Sequence, residues 1–496
     1  MSKLSPTERG ELLQALRDMG GAGQAESENV DLFRQRFYPV TEHLRAFSSD
    51  VTLIVGERGS GKSELFGAAM RFGLLAVASQ HTPGVRMPPL EPTRTQWLAA
   101  YPAGAKFPDS RGLHSFLRTN KSTPRGALEL WFAYLVRLLN QELDAEAANS
   151  LTDLLSPQGG DTAAVMDAFN KAGEAPLLAL DRLDEKLFRE DRWIFVGYDE
   201  LDTLADYDWH TMGAAISGLV SFWASYSRRW RRLRAKIFMR TDLFRRNTSS
   251  LSADLPKLAS NRVEISWNDR NLYAMLVKRI ANSSPALQQY CQNSRVNFKA
   301  LDPVLGWIPE IGTAEDAKPL VQRMIGPYMG ANQNKGLTFN WLLDHIRDGL
   351  DKAYPRALVR LVEQAAVNEI DSPKACYSRL IDPTSIRRAI DKMSEMQVTQ
   401  AISNEWPWLE GVRSRVQREN VPMARSQLEH WLNQDWEGSW NSQREIRPPA
   451  EDSRGFVNDL GELGVMRQRG DGRLDTPDLY QFGLGLIRRG GVRRIK

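Results

Sequence analysis

Cysteine is scarce in this chain of 496 residues: Cys291 and Cys376 are its only two, far apart and without metal-ligand spacing. That excludes a disulfide framework and points to a reducing compartment. Histidine is nearly as rare, with six residues and no HExxH run, which argues against a zinc site. No apolar run approaches the ~20 residues that span a bilayer. The opening "MSKLSPTERGELLQALRDMGG" has no apolar core of the signal-peptide kind. A soluble cytoplasmic protein is therefore expected, with no membrane contact. Net charge is also small, +4 from 65 basic and 61 acidic residues, so any nucleic-acid contact must come from local patches.

What is present is ordinary globular composition, 42% hydrophobic and 25% charged, in a chain too long for one core. The run "VTLIV" at 51–55 is continuously apolar and bounded by Gly56, as in a strand buried on both faces. A helix is expected from about Ser63 to Ala78. Residues 81–125, rich in Pro, Gly and Thr, read as an irregular insertion. "ALELWFAYLVRLLNQEL" (127–143) reads as an apolar helix. "RWIFVGYDELDTL" (192–204) reads as a second buried strand, and 210–233 as a long helix. "AKIFMRTDLFRR" (235–246) begins with a third strand. Alternating buried strands and helices predict an α/β layer with a parallel sheet. Beyond residue 266 the pattern is mostly helical. The last module joins a helix, 453–464, to a hairpin with "GDG" at its turn.

The sharpest motif is Gly56-Glu57-Arg58-Gly59-Ser60-Gly61-Lys62-Ser63, followed by Glu64. Its glycines let successive N–H groups converge on an anion, and the helix N-terminus adds its positive dipole end. Lys62 is placed to reach the β- and γ-phosphates of a nucleotide, and the Ser63 hydroxyl to ligate Mg²⁺. Chance would supply such a match in about 2% of chains this long. Second, "WIFVGYDELD" delivers Asp199 and Glu200 to the C-terminal end of a strand, the edge where α/β sheets bind ligands. Asp199 suits Mg²⁺ ligation, and Glu200 suits polarising a water for attack.

Two further positions are weaker. Arg240 or Thr241, ending the third strand, can sense the γ-phosphate, or they are simply strand-end polar residues. Arg356, just after Pro355 at a helix start, reaches a nucleotide from a helical lid or is merely solvated. ATP is the expected nucleotide, since no Asn-Lys-x-Asp guanine-reading element is present.

Three readings of "SRRWRRLRAK" stay open: a solvated helix end, a patch for acidic or nucleic-acid partners, and an arginine donor to a neighbouring subunit. Arg467, Arg469 and Arg473 would decorate the terminal hairpin, and Arg488, Arg489, Arg493, Arg494 and Lys496 the tail. DNA contact through that module is possible on charge alone. Trp406, Trp408, Trp431, Trp436 and Trp440 crowd one region, where packing is the simplest account.

Taken together, "GERGSGKS", "FVGYDELD", "IFMRTDLF", "PRALVRL" and the terminal module resemble the AAA+/STAND-like branch of P-loop ATPases. In order and layout they are similar to origin-recognition initiator ATPases. They look closer still to P-loop ATPases of bacterial mobile elements and anti-phage defence. The resemblance implies an α/β P-loop NTPase of the ASCE/AAA+-like kind, a parallel sheet with a helical lid and a C-terminal winged helix. The implied boundaries are 1–45 for an N-terminal helical extension, 46–265 for the ATPase core with an insertion near 82–180, 266–395 for the lid, and 396–496 for a helical linker and winged-helix-like domain. The implied activity is ATP hydrolysis with Mg²⁺. Catalytic roles fall to Lys62, Glu200 and Arg240. Homo-oligomers and a separate effector such as a nuclease are the implied partners, with DNA as a further one. The expected role is the regulatory ATPase of an antiviral system; the alternative is a DNA-binding initiator or transposition regulator. Two features depart from the pattern: Lys62 and Asp199 are 137 positions apart, and the third strand ends Arg-Thr-Asp.

Overall fold

The computed structural model describes all residues except 1–3, 20–28, 83, 103–109, 120–123, 157–160, 205–208, 249–259, 374–377, 435, 437–447, 449, 451 and 490–496. Cys376, Trp440 and the tail residues Arg493, Arg494 and Lys496 thus lie outside the described residues. The chain forms two compact units, one of residues 39–266 and one joining 1–38 to 267–496.

The first unit is built on five parallel strands: β1 (Leu53–Gly56), β2 (Thr95–Tyr101), β3 (Trp193–Tyr198), β4 (Leu233–Arg240) and β5 (Val263–Ile265). Their spatial order is β2-β3-β4-β1-β5. β4 therefore stands between the strand of the glycine loop and the strand of the acidic pair. A parallel sheet of this order, with the loop Gly56–Ser63 running from β1 into a helix, is an α/β P-loop NTPase fold.

Both faces of the sheet are covered, which is why its strands read as continuous apolar runs. Ile194, Val196 and Tyr198 of β3 and Leu233, Ala235, Ile237 and Met239 of β4 pack with the helices Pro124–Leu138 and Trp209–Tyr226. Rings of Trp131, Phe132, Phe222, Trp223, Tyr226 and Trp230 interlock there at centroid distances near 5–6 Å. The alternate side chains, Phe195 and Phe238, meet Phe47, Phe66 and Trp97 on the other face.

Several local expectations are corrected. The helix expected over 63–78 is broken: Lys62–Phe66 passes into a wider π turn, Gly67–Arg71, and a new helix starts at Leu75 after Gly73 at φ +64°. The π turn carries Met70 against Gly197, where a Cβ would stand 2.6 Å from the Met70 methyl. The span 81–125 is not wholly irregular, because it contains β2, the edge strand beside β3. The helix expected to reach residue 233 ends at Tyr226, and β4 starts at Leu233.

That last correction dissolves the basic run. Asp184 accepts from the backbone N–H groups of Arg231, Arg232 and Leu233 at 2.7–2.9 Å and so anchors the start of β4. Arg229 pairs with Asp181, and Arg232 with Asp191 at 2.9 Å. Lys236 is fully buried in β4, donating to the carbonyls of Ser48 and Val51 at 2.5 Å each. The run is a turn and a strand, not one basic face.

The second unit is helical. Helices Asp269–Ser283, Pro355–Asp371 and Pro383–Asn404 share a core with the first helix of the chain, Pro6–Arg17. Buried Arg9 donates to Glu369 at 2.5 Å, and the same carboxylate accepts from Asp382 N and Ser385 Oγ. Toward the C-terminus come helix Leu409–Val416, strand β6 (Asn420–Val421), helices Arg425–Asn433 and Ser453–Glu462, and the antiparallel pair β7 (Arg467–Gln468) and β8 (Leu474–Asp475). A last strand, β9 (Ile487–Arg488), runs parallel to β6. Trp406 and Trp408 are buried and stack on one another at 5.8 Å, so they are core.

Candidate nucleotide site

The ends of β1, β3 and β4 bring the sequence-predicted residues of the first unit together. β1 ends on Gly56, where a Cβ would stand 2.6 Å from Ser60 Oγ and 3.2 Å from Ile265 Cβ, so the turn closes only around glycine. Gly59 and Gly61 take φ of +77° and +96°, left-handed values that side chains rarely adopt. Gly61 is the N-cap of helix Lys62–Phe66. Ser60 is buried under the loop, and Glu57, Arg58 and Glu64 are half-buried around it.

Lys62 folds back across the loop and donates to the carbonyls of Gly56 at 2.8 Å and Glu57 at 2.9 Å. Enclosure of its ammonium pulls the pKa down to about 8, although the carboxylates of Asp199, Asp202 and Asp242 act the other way. The loop thus holds a cation where two backbone carbonyls already face it, and a phosphate would improve on that arrangement.

Asp199 is buried at the end of β3 and hydrogen-bonded by Ser63. Burial raises its pKa from the usual carboxylate value, outweighing Ser63 and nearby Lys62. Its Oδ2 is enclosed without a hydrogen-bond partner. A hydroxyl beside an unsatisfied carboxylate oxygen is a hard, all-oxygen donor pair, which fits Mg²⁺. No group of three His, Cys, Asp or Glu capable of holding a metal occurs among the described residues. Mg²⁺ here would draw its other ligands from phosphate and water, as it usually does.

Glu200 follows in the left-handed region, φ +53° and ψ +34°. Such a conformation costs a non-glycine residue of order 1–3 kcal/mol and clusters at functional turns. Arg240 stands opposite Gly56 in the β1–β4 register. Its guanidinium is committed to Asp242 at 2.8 Å and Asp202 at 3.2 Å, which together raise its pKa against the cost of burial. The next residue, Thr241, is 6% exposed, and its hydroxyl is buried without a hydrogen-bond partner. Of the two sensor candidates, Thr241 therefore has the open valence.

Arg356 lies in the other unit, as the second residue of helix Pro355–Asp371, and is exposed there. Sequence reasoning did not single out Asp202 and Asp242, which restrain Arg240. It also passed over Tyr101, whose carbonyl accepts the Asp199 N–H at 2.7 Å. Acidic residues four positions beyond the end of β3 and two beyond the end of β4 were the visible signal for the first pair; nothing local marked Tyr101.

The terminal module corrects another expectation. Arg467, Arg469 and Arg488 all converge on the fully buried Asp475, at 3.2, 2.9 and 3.0 Å. Arg473 pairs with Asp471 at the turn. Arg467, Arg469 and Arg488 are internal counter-ions, while Arg473 stays half-exposed at the turn, so the module shows no continuous basic face among its described residues. No helix among the described residues is long and apolar enough to cross a membrane.

No protein-family model matches the chain, and no curated protein does. Among solved structures it is similar to Cdc6p from Pyrobaculum aerophilum, at 11% identity over 95% of this chain and 96% of that one, with a TM-score of 0.29. It is similar to the Aeropyrum pernix ORC2 protein in ADPNP–ADP complexes, at 12% identity, 97% and 93% coverage and a TM-score of 0.35. The Aeropyrum pernix ORC1 protein in complex with DNA gives 12%, 98% and 92%, and 0.34. None of these descriptions names a defence system or an effector. At such scores the likeness carries no argument, and the fold rests on strand order and loop geometry.

Proposed function

We propose that the chain is an ATP-binding and ATP-hydrolysing P-loop ATPase of the AAA+ kind. One observation carries this: the ends of β1 and β3 bring together a glycine loop in left-handed turns, a buried carboxylate oxygen without a hydrogen-bond partner and a second acid on a left-handed turn. The loop N–H groups and Lys62 bind the β- and γ-phosphates, which fixes the reacting phosphorus. Ser63 and Asp199 would hold Mg²⁺, which supplies charge neutralisation on the phosphates. Glu200 accepts the proton of the attacking water. Thr241 donates toward the γ-phosphate, and Arg240, oriented by Asp242 and Asp202, supplies positive charge beside it. Arg356 as a lid contact and homo-oligomeric assembly belong to the same reading.

The discriminating experiment pairs two substitutions. Glu200→Gln is expected to bind ATP as the wild type does while losing hydrolysis at least a hundredfold. Lys62→Ala is expected to lose binding itself. Wild-type turnover in either variant sinks the assignment.

A second reading concerns what the ATPase serves. The order helix, strand, two helices and hairpin among the described residues of 409–475 supports a winged-helix reading, which favours the DNA-binding initiator or regulator setting. A gel-shift titration against salt decides it. With Arg467, Arg469 and Arg488 bound internally, a shallow salt slope is expected. The defence setting with a separate effector has no supporting observation.

A further inference from the structure

Tyr101 ends the edge strand, and the geometry around it points outside its own strand. β2 pairs with β3 in regular parallel register from Thr95↔Trp193 to Ala99↔Gly197, but the next pair is Tyr101↔Tyr198. Ala100 is therefore an extra residue, a bulge. A bulge re-aims the side chain beyond it and is over-represented beside active sites. Here it sets the Tyr101 phenol 3.0 Å from Thr203 Oγ1. That hydroxyl in turn donates to the backbone carbonyl of Glu200 at 2.8 Å, and Thr203 N–H donates to the same carbonyl at 3.0 Å.

The same tyrosine holds the other acid. Its own carbonyl accepts the Asp199 N–H at 2.7 Å. The ring is 5% exposed and wedged edge-on against Trp131, whose indole donates to Ala215 O at 2.9 Å. Trp131 also meets the Tyr198 ring, centroids 5.6 Å apart. Tyr101 is thus locked by packing on one side and tied to both acids on the other.

We propose that Tyr101, acting through Thr203, is a positioning residue for Glu200. The phenol and hydroxyl form a relay that holds the left-handed turn and so fixes where the Glu200 carboxylate stands. A turn at φ +53° relaxes unless its surroundings over-determine it, and the relay supplies that determination from a strand that bears no chemistry itself. Tyr101 touches neither nucleotide nor attacking water in this scheme. It acts on the step that Glu200 performs, so the inference rests on the ATPase reading above.

The prediction is a split between chemistry and binding. Tyr101→Phe keeps the ring and its packing but removes the relay's first oxygen. Thr203→Val removes the second, and Thr203→Ser retains it. Tyr101→Phe and Thr203→Val are expected to lower kcat for ATP about tenfold while the Kd of a fluorescent ATP analogue stays within twofold. Thr203→Ser is expected to remain near wild type. Hydrogen exchange supplies a readout that needs no turnover: the Thr203 amide is expected to exchange at least tenfold faster in Tyr101→Phe.

The outcomes separate cleanly. If Tyr101→Phe keeps kcat within twofold and the amide exchange is unchanged, the relay has no positioning role. If Kd weakens in step with kcat, the residue is merely structural and the proposal fails. If the wild type does not hydrolyse ATP while the exchange still responds, the ATPase reading falls but the relay's hold on the turn stands.

Discussion

At the scale of single residues, Lys62 makes the loop's electrical state testable. Enclosure holds its pKa at about 8, below the ordinary lysine value near 10.4. The charged form is the one that attracts phosphate. Below pH 8 the free loop is already charged; above it, binding must first restore the proton. At pH 9 only about a tenth of the free loop retains its charge, and apparent affinity scales with that fraction. ATP affinity is therefore expected to fall about tenfold between pH 7 and pH 9. Near pH 9 close to one proton should be taken up per nucleotide bound, measured by calorimetry in buffers of different ionisation enthalpy. Lys62→Arg, which stays charged, is expected to lose the pH dependence. A flat affinity profile in the wild type would show the lysine proton is not coupled to binding.

Among the elements, legibility tracked sequence distance. The glycine loop was readable because its partners are within six residues: Lys62 bonds Gly56 and Glu57. β3 and β4 were readable as buried apolar runs. β2 was not, because "TQWLAAY" is only half-buried at four of its seven positions, and its one partner strand lies nearly a hundred residues away. The arginines failed for the same reason: Asp184, which organises the start of β4, precedes it by 47–49 positions. The terminal hairpin shows what such pairing does for stability. Burial works to raise the pKa of Asp475, and Arg488, Arg469 and Arg467 outweigh it, leaving the pKa below the ordinary value. A depressed carboxylate stabilises above its unfolded pKa, and that stabilisation is lost as pH falls through the folded value. The module is therefore expected to loosen below about pH 4. Asp475→Ala leaves three largely buried cations without their counter-ion and is expected to cost about 3–5 kcal/mol, read by urea denaturation of the full chain. Asp475→Asn, which keeps the shape, should cost less. Equal stability of the alanine variant and the wild type would mean the arginines are solvated instead.

For the whole molecule, chain order and structural order differ, and that difference can be measured. The α/β unit, residues 39–266, is inserted in sequence between the first helix and the rest of the helical unit. Leu12, Leu13, Leu16 and Met19 are buried in the helical core, and Arg9 neutralises a glutamate 360 positions downstream. Removing residues 1–19 should therefore damage the unit made mostly of residues beyond 267 and spare the unit of residues 39–266. The deletion strips apolar cover and leaves Glu369, fully buried, without its cation. Breaking a buried pair of this kind costs about 3–5 kcal/mol even before the lost apolar contacts. On the proposed reading nucleotide binds the other unit, and at a hundred times its Kd a ligand stabilises the state that binds it by about 2.7 kcal/mol. Hydrogen exchange on the full and shortened chains, each with and without ATP, separates the two effects. The deletion is expected to raise exchange in helices Pro355–Asp371 and Pro383–Asn404 while ATP still protects β1 and the loop. Loss of ATP protection on removing residues 1–19 would show that the first helix belongs energetically to the nucleotide-binding unit, contrary to the core it shares.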